Sequence, residues 1–464
     1  MKFTEKYSRL FQLLLPSPLS IALLLSLIAI VVAYIFTAKP VSLEQNYLIT
    51  LLEYWERGLW NESLMVFALQ MMLMLVLGHI LAMSPFVDKF IDKISVFATS
   101  NAKAAALVCF STMSIAFFNW GLGLIFGAII ARKIGEKAQR EGFELNYPLI
   151  GAAGYSCLMV WHGGISGSST TKVAEQGHLA SLMDGILPKE QLMSLPATIP
   201  FSETVFSPMN LFASAAVLIV IPLLMYLIGK RSSGTNLDRL DTSQVEVNQE
   251  KTTIGAEKID YSTFTTKIVG SIILIYLGFR IAQSTEMLSF TFITPNFINL
   301  SLLGLGFFFH KNIVGFLKAT DHAIGGASGI LIQFPLYFGI MGIMKESGLI
   351  HLVSDFFVSN STATSFPIFT LFSAGLVNVF VPSGGGQWAI QGPIIIQATE
   401  SLQTSLPKSI MALAYGDQLT NMLQPFWALP LLGITKLSAK EILPYTLLMM
   451  VVAGTIYVGV LLLF

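Results

Sequence analysis

Phe380-Val-Pro-Ser-Gly-Gly-Gly-Gln-Trp388 is the stretch that excludes the most folds, because it interrupts an apolar run over residues 366–398. A proline and three glycines within five residues do not continue a helix. In hydrocarbon each backbone N–H or C=O without a partner costs several kcal/mol, so irregular chain at membrane depth persists only where protein buries it or a cavity wets it. The run therefore reads as a helical hairpin that dips into a bilayer and returns. Its tip, residues 382–387, offers amides and a hydroxyl to a small solute.

A bilayer setting agrees with a chain that is 54% hydrophobic and only 12% charged, against about 25% charged in soluble domains. The expected fold class is an all-α polytopic integral membrane protein, with lipid as its surroundings. Basic and acidic residues balance at 27 each, which implies no nucleic-acid partner. Cys109 and Cys157 both fall in apolar segments and read as core packing rather than a disulfide framework.

Lysine and arginine placement orients the path by the positive-inside rule. Lys2, Lys6 and Arg9 put the N-terminus in the cytoplasm, and the apolar run 19–36, close to the roughly 20 residues a span needs, reads as a retained first helix. Residues 38–63 read as an outer segment. Two basic loops, one with Lys89, Lys93 and Lys103 and one with Arg132, Lys133, Lys137 and Arg140, both read as inside. One apolar run lies between them, so it must be a hairpin over about 104–131 turning at Asn119. The next helix, about 147–171, is broken at Trp161-His-Gly-Gly-Ile-Ser-Gly-Ser-Ser169. Residues 230–267, with mixed charge and few apolar groups, read as a mobile cytoplasmic linker.

After the linker the order repeats with opposite flanks: a hairpin over about 366–398, then a helix over about 410–434 broken at Gly416-Asp-Gln and at Gln424-Pro-Phe-Trp427. Two membrane repeats, 1–229 and 268–464, of inverted topology are therefore expected, with the C-terminus periplasmic. Discontinuous helices in corresponding places of two inverted halves point to a transport site at the membrane midplane.

Four motifs carry a family resemblance: Asn119-Trp-Gly-Leu-Gly-Leu-Ile-Phe-Gly127, Gly154-Tyr-Ser-Cys-Leu-Met-Val-Trp-His-Gly-Gly-Ile-Ser-Gly-Ser-Ser169, Val381-Pro-Ser-Gly-Gly-Gly-Gln-Trp388 and Tyr415-Gly-Asp-Gln-Leu-Thr-Asn421. Over nearly its whole length the chain resembles the AtoE-type short-chain fatty acid transporters, within the wider ion transporter superfamily. The resemblance implies uptake of short monocarboxylates such as acetoacetate or butyrate across the bacterial inner membrane. The superfamily further implies cation-coupled symport, two hairpin tips per protomer and a homodimer.

A small monocarboxylate anion needs donors, and in a membrane the available ones are backbone amides at hairpin tips and half-helix N-termini, where the helix dipole also favours negative charge. Gly384, Gly385 and Gly386 allow close approach, Ser383, Gln387, Ser168 and Ser169 add side-chain donors, and Asn119 is the matching polar group on the opposite tip. Neither tip contains arginine, which disfavours a dianion. Trp120, Trp161, Trp388 and Phe426 are the expected apolar wall for an aliphatic tail. Asp417, an acid inside an apolar helix, is the expected ion-coupling residue, either holding Na+ with Thr420 and Asn421 or titrating as an H+ carrier; His162 is a second proton candidate. No organic cofactor is expected. A carrier or exporter of another organic anion, such as a dicarboxylate, is the second reading. An intramembrane enzyme is the third: Gly121-x-Gly-x-x-x-Gly127 lacks a βαβ context, and His162-Gly163-Gly164 has no G-x-S-x-G partner.

Overall fold

The computed structural model describes residues 17–37, 46–184, 187–237, 240, 255–283 and 294–464. The basic N-terminus, residues 38–45 of the outer segment and most of the middle of the linker lie outside the described residues. Among the described residues there is helix and no strand, and seven helices are long and apolar enough to cross a membrane. The protein is an all-α polytopic membrane protein.

In chain order the helices that matter to the site are α1 (Pro18–Phe36), α2 (Tyr47–Leu59) and α3 (Glu62–Ala82). A first hairpin follows, α4 (Asn101–Phe118) and α5 (Trp120–Glu141). The segments α6 (Tyr147–Tyr155) and α7 (Ser168–Ala174) flank an irregular stretch, and α8 (Pro208–Arg231) ends the first half. The second half begins with α9 (Thr263–Gln283), α10 (Pro295–Phe309) and α11 (Ser328–Glu346). A second hairpin, α12 (Phe366–Phe380) and α13 (Gly384–Ser401), precedes a second interrupted helix, α14 (Leu406–Thr420) and α15 (Pro425–Thr435), and α16 (Ala439–Leu463) comes last.

Caps and apolar faces explain these limits. Ser17, Asn46, Asn61, Ser100, Ser207 and Ser405 each accept a backbone amide at a helix start. The peripheral helices α1 and α9 expose Leu27, Ile35, Ile272 and Ile275, a contiguous apolar surface that a bilayer solvates. One expectation is corrected: the segment 38–63 is not all loop, because Tyr47–Leu59 is an amphipathic helix. It lies so close to α11 that a Cβ at Gly58 would sit 2.3 Å from the Phe338 carbonyl oxygen, and one at Gly342 would sit 2.2 Å from that of Tyr54. The linker also begins docked rather than mobile. Thr235 donates its N–H to Leu145 O at 2.9 Å, its hydroxyl accepts from Tyr147 N at 3.1 Å, and Leu240 is buried.

Each hairpin is packed on the interrupted helix of its own half. A Cβ at Gly127 of α5 would meet Gly154 O of α6 at 2.1 Å, and a Cβ at Gly416 of α14 would meet Leu371 O of α12 at 2.1 Å. Backbones approach this closely only across glycine, as at small-residue helix interfaces in membranes. Most of the molecule shares one apolar core. A separate cluster gathers α13 residues such as Trp388 and Ile395 with Val173, Leu179 and Met183 of the first half.

Candidate functional site

The two interruptions meet at the centre. After α6 the chain makes a short 3-10 turn over Ser156–Met159 and runs irregularly to Gly167. The amides freed there are satisfied by buried side chains from the other half, as irregular backbone in a membrane requires. His162 N and Gly163 N both donate to Gln418 Oε1, at 3.0 and 3.1 Å. Asn210 of α8 donates to Gly163 O at 2.8 Å and accepts from the Tyr415 hydroxyl at 3.0 Å. In return the Tyr155 hydroxyl donates to the carbonyls of Asn421 and Gln424, at 2.8 and 3.1 Å, in the second break.

Beside this crossing lies a buried histidine–aspartate pair. His162 Nε2 is 3.0 Å from Ser169 N and 2.9 Å from Ser169 Oγ. A backbone N–H only donates, so Nε2 accepts and the proton of the neutral ring resides on Nδ1. That nitrogen is 3.4 Å from Asp417 Oδ1, and both residues are almost wholly buried. Neither Asp417 oxygen has a hydrogen-bond partner among the described residues. Thr420 and Asn421 do not gather on this carboxylate. Asn378 of α12 collects them instead, its amide nitrogen lying 2.8 Å from Asp417 O, 3.0 Å from Thr420 Oγ1 and 2.8 Å from Asn421 Oδ1.

A cavity of about 230 Å³ opens against the second hairpin tip. One wall is Pro382, Ser383, Gly384 and Gly385; Trp120, Trp161, Phe426 and Trp427 line it from other elements, with Ser168 at its polar end. Ser383 caps α13, its hydroxyl accepting Gly386 N at 3.2 Å and its carbonyl accepting Gln387 N at 2.8 Å. The amides of Gly384 and Gly385, at the positive end of an 18-residue helix, have no acceptor among the described residues. The indole N–H groups of Trp161 and Trp427 are likewise buried without a partner among them. No acidic side chain lines this cavity.

The residues singled out in the sequence fall into three places. Ser168, Ser383, Gly384 and Gly385 line the cavity. His162, Ser169 and Asp417 form the buried pair and its brace just behind it, where a Cβ at Gly384 would lie 2.9 Å from His162 Cε1. The others hold the scaffold. Gln387 ties the two arms of its hairpin, donating to Ala374 O and Gln391 Oε1 at 2.8 and 2.7 Å. Asn119 caps α5 by accepting Leu122 N at 3.0 Å. Gly386 faces a larger neighbouring cavity. Trp388 is corrected off the apolar wall: it points into the separate cluster, where its N–H donates to His178 Nε2 at 3.0 Å. Asn210, Asn378 and Gln418 are the buried polar residues that sequence reasoning passed over. The argument that flagged Asp417 applies to them, since each is a polar group in an apolar helix.

Comparison with known proteins gives one answer in sequence. A family model described as short chain fatty acid transporter matches residues 1–464. A relative from Escherichia coli (strain K12), provisionally named a short-chain fatty acid transporter, is 34% identical over 449 residues, covering 96% of this chain and 95% of its own. One of the same name from Haemophilus influenzae is 33% identical over 464 residues, covering 98% and 96%. Among solved structures, MtrF of Neisseria gonorrhoeae, from a class of antimetabolite efflux pumps, aligns with TM-score 0.40 and 13% identity over 96% of this chain and 94% of its own. The YdaH transporter of Alcanivorax borkumensis, described as having an unusual topology, aligns with TM-score 0.40 and 15% identity over 95% and 97%.

Proposed function

The chain belongs to the short-chain fatty acid transporter family, and from that footing we propose that it takes up short monocarboxylates such as acetoacetate or butyrate across the bacterial inner membrane as a proton-coupled symporter. The observation that carries the substrate half is the donor-only cavity. Two backbone amides, two indole N–H groups and the hydroxyls of Ser168 and Ser383 surround about 230 Å³ without an acidic side chain. Such a set suits a carboxylate head, and the aromatic faces of Trp120 and Phe426 suit a tail of a few carbons. The absence of an arginine or lysine from this cavity fits a monoanion better than a dianion.

Coupling is assigned to Asp417. With Ser169 holding His162 in its neutral form, an ionised Asp417 faces one N–H at 3.4 Å and nothing else among the described residues. A buried carboxylate so poorly paired is several kcal/mol less stable than in water, and taking up a proton removes that penalty. Thr420 and Asn421, the further ligands a Na+ site would need, are engaged with Asn378. A proton on Asp417 and an anion at Gly384 and Gly385 make an electroneutral load on neighbouring groups. In this reading the hairpins are re-entrant, the halves are inverted repeats, and moving one unit against the other alternates access.

Uptake of labelled butyrate into proteoliposomes, under separate inward proton and Na+ gradients, tests this. Saturable uptake driven by the proton gradient and abolished in Asp417→Asn is the expected result. Uptake driven by Na+ alone removes the proton assignment, and no saturable uptake of any short monocarboxylate removes the substrate assignment.

A further inference from the structure

A second, larger cavity of about 550 Å³ lies on the other side of the Ser383 tip and shares Leu64, Phe338 and Met341 with the first. Its lining differs in kind. It contains Arg57 at the end of α2 and Lys345 at the end of α11, both exposed and neither in an ion pair with a described residue. The Arg57 guanidinium sits over the Tyr54 ring at 5.0 Å, which holds the charge in place without neutralising it. Glu346 is the one acid on the wall, so the lining carries a single net positive charge.

We propose that this vestibule is an anion-capture station, where Arg57 and Lys345 draw a short monocarboxylate in before it passes the second hairpin to the amides of Gly384 and Gly385. The proposal rests on the carrier reading above. The wall bearing the charges is fixed, because α2 and α11 meet backbone to backbone at Gly58 and Gly342. The facing wall is the second hairpin, through Val381, Gly386, Ala389 and Ile390. Charge on a fixed wall raises the local concentration of anion, and the hairpin decides when it moves on. One net charge in a wide, wet space attracts a monoanion without trapping it, as an access route requires. The inner cavity has no cation, so selection for negative charge belongs at the vestibule and selection for tail size belongs inside.

The test has two readouts on full-length protein in proteoliposomes. Ala389→Cys places an exposed thiol in the vestibule, and the native Cys109 and Cys157 are buried. An anionic thiol reagent is expected to modify the introduced thiol faster than a neutral one of the same size, and adding Arg57→Gln with Lys345→Gln should erase most of that ratio. In uptake assays the same pair of substitutions is expected to raise butyrate KM roughly threefold or more at low salt, with kcat unchanged and the salt dependence flattened; Arg57→Lys should retain the native KM. An unchanged reagent ratio together with unchanged KM overturns the vestibule assignment while leaving the carrier reading standing. Absence of any wild-type butyrate uptake overturns the carrier reading, and the vestibule assignment with it.

Discussion

The two hairpin tips are built from the same device and left in opposite conditions. Each places a polar residue in extended conformation between two apolar helices, Asn119 in one and Ser383 in the other, and each residue caps the helix that follows. At the first tip the next amide, Trp120 N, is taken by Ser166 Oγ at 3.0 Å, and Phe117 O accepts Ile165 N at 2.9 Å. At the second tip the next two amides face a cavity. The first tip is thus spliced to its own broken helix, while the second keeps its donors for something else. A cap alone does not make a binding site; what decides is whether the neighbouring chain supplies acceptors.

The strongest way to break this contrast is to pry the first tip loose. A Cβ at Gly164 would lie 2.3 Å from Phe117 O, so Gly164→Ala should destabilise the detergent-solubilised protein by about 1–3 kcal/mol in thermal unfolding. Native stability in that variant would refute the splice. At the second tip, replacing Trp161 or Trp427 by Phe keeps the apolar face and removes the N–H. Each should raise butyrate KM about fivefold, on the order of 1 kcal/mol for one lost hydrogen bond, with thermal stability unchanged. Gly385→Ala sharpens the contrast further, because a Cβ there meets nothing within 4 Å. Its effect should be on substrate size: a few-fold rise in KM for butyrate, less for acetate, set by roughly 0.8 kcal/mol per displaced methylene.

Acidification should give the smallest effect, again at the second hairpin only. His178 accepts the Trp388 N–H and must be neutral to do so. Burial lowers its pKa from 6.5, Lys172 adds to this and Glu175 opposes it. The folded form therefore binds the proton less readily than the unfolded chain. The contribution is fully present above pH 6.5 and declines as pH falls from there through the folded pKa. Amide exchange at the second hairpin should quicken slightly toward pH 5 in wild type, with no such change at the first hairpin.

Much of the contrast was legible in residue order. Pro382 and the glycines mark one break, Asn119 between apolar runs marks the other, and Asp417 stands out by charge in a run that should have none. What was not legible depends on pairing across the chain. Ser166 looks like any hydroxyl in a glycine-rich stretch until Trp120 N arrives beside it. Trp388 lies five residues past Ser383, yet the helix carries it into a different apolar cluster. Helix α2 was hidden because Glu53, Glu56 and Arg57 within it read as an outer loop, although Leu51, Gly58 and Leu59 form the buried face of an amphipathic helix.

Trp427 belongs to two structures at once. It lines the inner cavity, and it also stacks edge-on with Trp120 at 5.3 Å, while Trp120 meets Trp161 at 6.1 Å. The indole that greets the cargo is therefore part of the plug beneath it. In a resting cell with no fatty acid outside, that shared side chain keeps a dry aromatic barrier across the route, so the membrane's stored gradient does not drain through an idle carrier.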